Sequence, residues 1–532
     1  MAENDIDQIQ AEVEARKKEE QDASEDDAKK EDPITPAFVY DCLNANERGD
    51  GALFAELHAG KFTFNKTSSS WYRWADHYWD LDVLGHAQRV VENVAMEYLK
   101  GEIAENFPER IKKAKGEGDK DKVDQLEARQ KAYFARVKRL RSVAGAQSCL
   151  NWAHHVEGAL AIRGEKFDRN PWLLACCNGV LELRTGKFRD GRPGDNITKA
   201  VEHEWIDIKH PAPTWEKFLE AVFESKEEMI GFIQRLFGYG MTGIVMEHIF
   251  VILYGEGGRN GKGTLIETLQ YILGPLAGPI QSEMLLDQRN ARNSAGPSPD
   301  IMNLYGKRFC FASETEENRR FSAAKIKWLS GGDTLTGRNP HDKYETRFDP
   351  THLLCLLTNY LPHAPAEDLA FWERMMLIQF NVRFVDNPTA PNERPKIKDL
   401  GEKLKEEAPG ILAWLVRGCI DWQRQGLNPP REVTSARTDY RAKEDDIGNF
   451  IQACCVTEDL PDGHEEFFKD SYEAYTQWYE ATIGDKKFCL NKKRWGAIMA
   501  KRFKKYAHSG KTWFSGFALK PAHERETGGS ND

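Results

Sequence analysis

The residues best equipped to do chemistry sit in one short stretch, HIFVILYGEGGRNGKGTLIETLQYILG, residues 248–274. Gly255, Gly257, Gly258 and Gly261 punctuate a loop that closes on Asn260, Lys262, Gly263 and Thr264. Glycines let successive backbone N–H groups turn inward around phosphate oxygens, and a lysine at the head of a helix reaches the β- and γ-phosphates. The spacing departs from the strict GxxxxGK[ST] pattern. Glu256 stands where its first glycine belongs, the loop is one residue longer, and Gly263 rather than a hydroxyl follows Lys262. That leaves Thr264 as the hydroxyl to bind Mg²⁺. The plain alternative is a glycine-rich turn that merely contains a lysine. The flanks oppose it: residues 249–254 are a continuous apolar run, as in a strand buried on both faces. Leu265, Ile266, Leu269, Ile272 and Leu273 then form one helical stripe ended by Gly274.

A phosphate loop that hydrolyses its nucleotide needs acids to hold Mg²⁺ and orient water. KRFCFASETEE, residues 307–317, offers a buried strand at Arg308–Ala312 followed by Glu314 and Glu316, whose spacing of two sets both carboxylates on one side. In parallel α/β sheets ligands gather beyond the carboxyl ends of the strands, where these acids fall. Solvated loop acids are the alternative. A second apolar strand, LLCLLTN, ends in Asn359, an amide fit to sense the terminal phosphate or to cap a turn. Between them, TLTGR and YETRF are expected to pair as a hairpin with Arg338, His341 and Lys343 at or near its tip. DLAFWERMMLIQF places Arg374 among apolar neighbours, either as an arginine finger acting across a subunit boundary or as a local ion pair with Glu367 or Asp368.

In this order, GEGGRNGKGT, ASETE, the GGD-to-RF hairpin, LLTN and WERMMLIQF resemble the motifs of superfamily 3 helicases of the phage/plasmid primase–helicase type, related to poxvirus D5-like ATPases. The resemblance runs over roughly residues 37–520. It implies an α/β fold: an AAA+ P-loop ATPase core with an α-rich N-terminal region and a C-terminal winged-helix-like domain. It implies a ring, expected to be a hexamer, with ATP and Mg²⁺ bound between subunits and 3′-to-5′ translocation on single-stranded or forked DNA. Carried residue by residue, Lys262 contacts phosphates and Glu314 and Glu316 share Mg²⁺ binding and water activation. Asn359 is the sensor, Arg374 the finger, and Arg338, Lys343 and His341 face DNA. Neither zinc-ligand spacing nor a paired-acid polymerase segment occurs upstream, so a primase domain is not expected and a separate primase or polymerase is the expected partner.

These elements imply an organisation: an acidic disordered tail over 1–32, an N-terminal helicase-associated domain over 33–212, and the ATPase over 213–400 with a helical lead-in at 213–246. A helical region over 401–455, a winged-helix-like domain over 456–520 and a tail over 521–532 complete it. Residues 109–143 read as a long charged helix pair, with a solvated face or a DNA contact as its two uses. WYRWADHYW reads as a core or hairpin face, with base stacking as the rival.

Composition sets the limits. The 532 residues are 40 % apolar and 30 % charged, enough to build several cores. No apolar run is long enough to span a membrane, and no secretory signal opens the chain, so a cytoplasmic setting in the bacterial host of a phage, prophage or plasmid is expected. Ten cysteines without CxxC spacing point to reduced thiols. The net charge of −10 argues against a broadly basic nucleic-acid binder. It hides a contrast, because residues 486–520 hold 11 Lys or Arg and no Asp or Glu. Lys492, Lys493, Arg494, Lys501, Arg502, Lys504 and Lys505 in RWGAIMAKRFKKY and its flank, together with a KTWFSGFALK hairpin, suit phosphate contacts or a solubilising face. An origin-binding initiator that uses ATP to assemble and melt DNA is the rival function.

Overall fold

The computed structural model describes residues 34–288, 297–313, 319–340, 345–484 and 489–525, apart from the side chain of Ala104. The acidic tail and most of the C-terminal tail fall outside the described residues. The chain divides into two compact units, Met1–Glu182 with Lys187–Glu204, and Leu183–Gly186 with Trp205–Asp532. The boundary expected after residue 212 lies inside the second.

In the first unit, helices Pro36–Asn44, Asn46–Leu57, Val91–Glu105, Lys120–Leu140 and Val143–Ala153 share one core. The charged stretch is the helix pair its spacing predicts, Phe107–Glu117 and Lys120–Leu140. Gly118 (φ 72°) ends the first helix and the Asp119 side chain caps the second. Val123, Leu126, Tyr133, Val137 and Leu140 face inward. Asp50 is buried there, accepting hydrogen bonds from Tyr98 Oη and Arg136 Nη1 at 2.8 Å each. Burial raises its pKa against the pull of the guanidinium. WYRWADHYW forms the hairpin Ser70–Trp74 with Trp79–Leu81. Trp71 packs on Phe54 and Trp74 on Trp79, so these rings serve packing.

The second unit is built on a five-stranded sheet, all parallel: β1 Phe250–Tyr254, β2 Ala277–Ile280, β3 Phe309–Ser313, β4 Leu353–Thr358 and β5 Met375–Gln379, in the order β5-β1-β4-β3-β2. Both faces are covered, which is why β1 and β4 read as unbroken apolar runs rather than alternating ones. Before the sheet come helices α1 Pro213–Val222 and α2 Glu227–Gly240; α3 Lys262–Leu273 follows β1, and α4 Ala408–Gln425 follows the sheet. Phe218, Leu219, Val222 and Phe223 are buried as their stripe predicts.

The lead-in helices and α4 are one packing unit. The Glu407 carboxylate takes the Thr214 and Trp215 amides at the head of α1 at 2.9–3.0 Å. Where α2 and α4 cross, a Cβ on Gly238 would lie 2.2 Å from Cys419 N, and one on Gly418 would lie 2.0 Å from Gln234 O. Side chains at either position would hold the backbones apart.

The chain then forms α5 Arg431–Lys443, α6 Asp446–Cys454, strand β6 Glu465–Phe467, α7 Phe468–Thr482, α8 Lys492–Arg502, β7 Lys504–His508 and β8 Lys511–Ser515. The last three strands form an antiparallel sheet in the order β6-β8-β7. Two expectations change here. The basic helix stops at Arg502 because Phe503 is extended (φ −132°, ψ 152°), so Lys504 and Lys505 belong to β7. The hairpin partner of β8 is β7, through a turn at Ser509 and Gly510 with positive φ, while Ala518–Leu519 pairs with Cys455–Val456. Ile447 and Phe450 of α6 join Trp495, Met499, Phe514 and Phe517 in the terminal core, which therefore begins before residue 456.

All ten cysteines are free thiols, eight of them buried. No helix among the described residues is long and apolar enough to cross a membrane. Gly418→Ala is expected to cost about 1–3 kcal/mol by forcing α2 and α4 apart, lowering the thermal midpoint. Gly401→Ala, where a Cβ meets nothing within 4 Å, should leave the midpoint unchanged or raise it.

Candidate functional site

The site begins where β1 runs out. Gly255 N donates to Thr358 O at 3.3 Å, carrying the β1–β4 pairing one residue past the strand. The backbone then reverses through Gly257 (φ 67°), Gly258 (φ 71°), Arg259 (φ 56°) and Gly261 (φ 89°), and α3 starts at Lys262. The segment after β5 braces the loop. Phe380 N donates to Tyr254 O at 2.7 Å and Phe384 N to Arg259 O at 2.8 Å, and the Asn260 amide donates to Val382 O at 3.1 Å.

Lys262 is buried, with 8 % of its surface exposed. Its Nζ donates to Gly255 O at 2.7 Å, Asn359 Oδ1 at 2.9 Å and Asn260 Oδ1 at 3.2 Å. All three acceptors are uncharged, so burial pulls the ammonium pKa down to about 8. A desolvated cation at a helix N-terminus, without a carboxylate partner among the described residues, fits an incoming anion. Gly255 must be glycine, because a Cβ there would meet Lys262 Nζ at 3.0 Å and Phe380 O at 2.9 Å.

Sequence-predicted residues thus meet at Lys262, Asn260 and Asn359. Asn359 binds the ammonium across 97 residues of chain, so its side-chain oxygen serves the lysine. Thr264 is half-buried in the first turn of α3 and Gly263 is exposed. Glu256 is exposed and its carboxylate accepts from Tyr254 Oη at 2.8 Å. Burial and that carboxylate push the Tyr254 phenol up to about 12. A cleft of about 420 Å³ opens beside the loop, lined by Tyr254, Glu256, Asn359, Tyr360 and His363.

Other expected residues lie elsewhere in the sheet unit or outside the described residues. Glu314 and Glu316 follow β3 but fall outside the described residues, as do His341 and Lys343. The hairpin that carries them pairs Leu335–Gly337 with Thr346–Phe348. Arg338, beside it, donates its N–H to Ser298 Oγ at 3.2 Å and accepts from Ser298 N at 2.9 Å. Arg374 precedes β5 at the end of the sheet opposite the loop, since Met375 pairs with Phe250. Its Nη1 donates to Ala370 O at 2.9 Å. The alternative of an ion pair with Glu367 or Asp368 is not what forms: Glu367 binds Arg502, and Asp368 binds Lys327.

In the terminal domain, Lys492, Lys493, Arg494, Lys501, Lys504 and Lys505 are exposed, while Trp495 and Met499 anchor α8 from below. Arg502 departs from this group. Its guanidinium binds Asp445 at 2.8 Å and Glu367 at 2.6 Å, which ties α8 to the turn between α5 and α6 and to the segment before β5. Sequence reasoning passed over Arg259 and the 380–384 brace. The signal for Arg259 was a lone cation inside the glycine run; the brace had none, because its contacts are made by backbone atoms.

Fold and site together define an α/β protein with a lysine-bearing glycine loop at the carboxyl edge of a parallel sheet. A family profile described as "D5 N terminal like" matches residues 51–224. The chain is 30 % identical over 339 residues to a protein named "Putative helicase L207/L206" from Acanthamoeba polyphaga mimivirus, covering 61 % of this chain and 34 % of that one. It is 25 % identical over 349 residues to "Putative helicase 121R" of Invertebrate iridescent virus 3, covering 61 % and 37 %. These matches support a D5-like primase–helicase relationship, and the chain spans little more than a third of the length of these relatives. The apo structure of the NrS-1 C-terminal region (305–718) aligns over 91 % of this chain and 99 % of that one, at 11 % identity and a TM-score of 0.43, too loose a likeness to fix the fold.

The buried ammonium has a thermodynamic signature. An unfolded lysine titrates near about 10.4, whereas folded Lys262 titrates at about 8. Between those values the unfolded chain holds more protons, so stability rises with pH there. Lys262→Met should remove this rise. Urea unfolding at several pH values across that window should show wild type gaining on the variant by up to about 1.4 kcal/mol per pH unit.

Proposed function

We propose that the chain is an ATP-dependent DNA helicase of a viral or related replication system. It would be of the superfamily 3 type, with an AAA+ core that assembles into a hexameric ring and moves 3′-to-5′ on single-stranded or forked DNA. The observation that carries the reading is the contact of Lys262 Nζ with Asn359 Oδ1 at 2.9 Å, at the carboxyl ends of the adjacent parallel strands β1 and β4. It supports a phosphate-binding cation and a polar sensor acting on one terminal phosphate. The names of the viral relatives support the same class of protein, and they move the proposed setting from phage or plasmid toward large DNA viruses.

In this reading Gly255, Gly257, Gly258, Asn260 and Gly261 shape the loop, and Lys262 and the first amides of α3 bind the β- and γ-phosphates. Mg²⁺, when bound, would neutralise phosphate charge, with Thr264 and Glu314 as its ligands. Glu314 and Glu316 orient and deprotonate the attacking water, while Asn359 holds the terminal phosphate in register with Lys262. Arg374 lies at the far end of its own sheet, a position suited to a neighbouring subunit's nucleotide. Arg338, His341 and Lys343 are the proposed DNA contacts of the hairpin. A separate primase or polymerase is the proposed partner.

The exposed cations of α8 and β7 favour a second reading, an initiator that binds its origin through the terminal domain. Footprinting on the replicon's own DNA separates the two, since protection of a defined sequence favours the initiator.

Lys262→Ala is expected to lower DNA-stimulated ATP hydrolysis by about 10²-fold or more and to abolish unwinding of a 3′-tailed duplex. Equal activity in wild type and variant refutes the proposal. Nucleotide binding should draw a proton onto Lys262 above pH about 8, so affinity should weaken by up to about tenfold per pH unit above that value, as calorimetry in buffers of different ionisation enthalpy would detect. Replacing Lys492, Lys493 and Lys501 with Ala should flatten the salt dependence of DNA binding by roughly 1 in log–log slope per lost phosphate contact.

A further inference from the structure

We propose that Arg259 is a nucleotide-contacting residue of the loop, an arginine supplied in cis that recognises the terminal phosphate. The inference rests on the nucleotide-binding reading above and adds to it a residue outside the loop's sequence pattern.

Four residues between 257 and 261 have positive φ, and three of them are glycines. The fourth is Arg259, at φ 56°. L side chains are disfavoured in this region because Cβ crowds the following carbonyl oxygen, so glycine is the residue the backbone itself prefers. The conformation is held in place from outside. Phe384 N binds the Arg259 carbonyl at 2.8 Å, and the neighbouring Asn260 amide is tied to Val382 O at 3.1 Å. Fourteen non-glycine residues among the described residues have positive φ, most of them Asn, Asp or Ser, and Arg259 is the one Lys or Arg among them.

Among the described residues the side chain has no structural partner that explains it. It is exposed, and no described residue pairs with its guanidinium. The carboxylate nearest in the loop, Glu256, is engaged by Tyr254 Oη at 2.8 Å. Its neighbour Asn260 touches Lys262 Nζ at 3.2 Å, which sets Arg259 one residue from a partner of the ammonium. A guanidinium presents a planar fork of donors that matches two phosphate oxygens at once. The loop would then carry two cations of different kinds: Lys262, buried, beneath the phosphates, and Arg259, exposed, at their free end.

The test uses the full chain and measures equilibrium binding of ADP and of the slowly hydrolysed analogue ATPγS, each with Mg²⁺. Arg259→Gly should keep or raise the thermal midpoint, since glycine suits the conformation. It should weaken ATPγS binding by about tenfold or more while changing ADP binding by less than about threefold, and Arg259→Lys should recover part of the loss. An unchanged ratio of ATPγS to ADP affinity, or an equal loss for both nucleotides, overturns the assignment. Lys262→Ala, measured beside it, tests the underlying reading separately. If that variant binds both nucleotides as wild type does, the nucleotide site itself is wrong; if it loses both while Arg259→Gly keeps the wild-type ratio, only the role of Arg259 falls.

Discussion

The second unit is organised around one unfavourable charge. A lysine ammonium is removed from water and offered only neutral oxygens, from Gly255, Asn260 and Asn359. Such a cation is held at a cost, visible as the fall of its pKa to about 8, and an anion placed beside it would offset that cost. Everything near it serves to keep that arrangement intact. Glycine at 255 leaves room for the ammonium, the loop's positive-φ residues turn the chain, and the 380–384 segment fixes the turn by backbone hydrogen bonds. Much of the site's rigidity thus comes from β5 and the segment after it, more than 100 residues beyond the loop.

The sheet explains how residues so far apart in sequence meet. Parallel strands cannot be joined by tight turns, so each connection leaves the carboxyl edge and returns across a face. With β1 beside β4, the loop after one and Asn359 after the other must emerge side by side. The same geometry sends Arg374, which precedes β5, to the opposite edge. Asn359 and Arg374 are therefore separated within one chain by the length of the strands, as a site completed between neighbouring subunits would require. The glycine-to-glycine crossing of α2 and α4 brings the helices before and after the sheet together as a single layer.

Charge is distributed to different ends in the two halves of this unit. Around the loop, cations are few: Lys262 is buried and held by neutral oxygens, and Arg259 is exposed. In the terminal domain they are many and exposed, standing on a helix whose apolar face is fixed by Trp495 and Met499. Arg502 is the exception that joins the two, since Glu367, one of its carboxylate partners, belongs to the core side, while Asp445 caps α6. Counting basic residues cannot distinguish a cation that faces solvent from one neutralised across a packing boundary; burial and partners do.

Local sequence determined the parts whose physics is local. The apolar runs of β1 and β4, the stripe of α3, the helix pair at 107–140, the tryptophan hairpin and the glycine loop could all be read from periodicity and turn residues. So could Lys262, because a lysine at that point of a glycine loop has few other uses. Where sequence reasoning missed, competing non-local contacts decided. The end of the basic helix at Arg502, the pairing of β8 with β7 rather than with Ala518–Leu519, and the membership of α6 in the terminal core depend on which surfaces meet. The partners of Asn359, Arg502 and the loop carbonyls were likewise settled by tertiary structure alone. A hydrogen bond between residues 97 apart leaves no periodic trace, and a backbone donor such as Phe384 N leaves none in residue type.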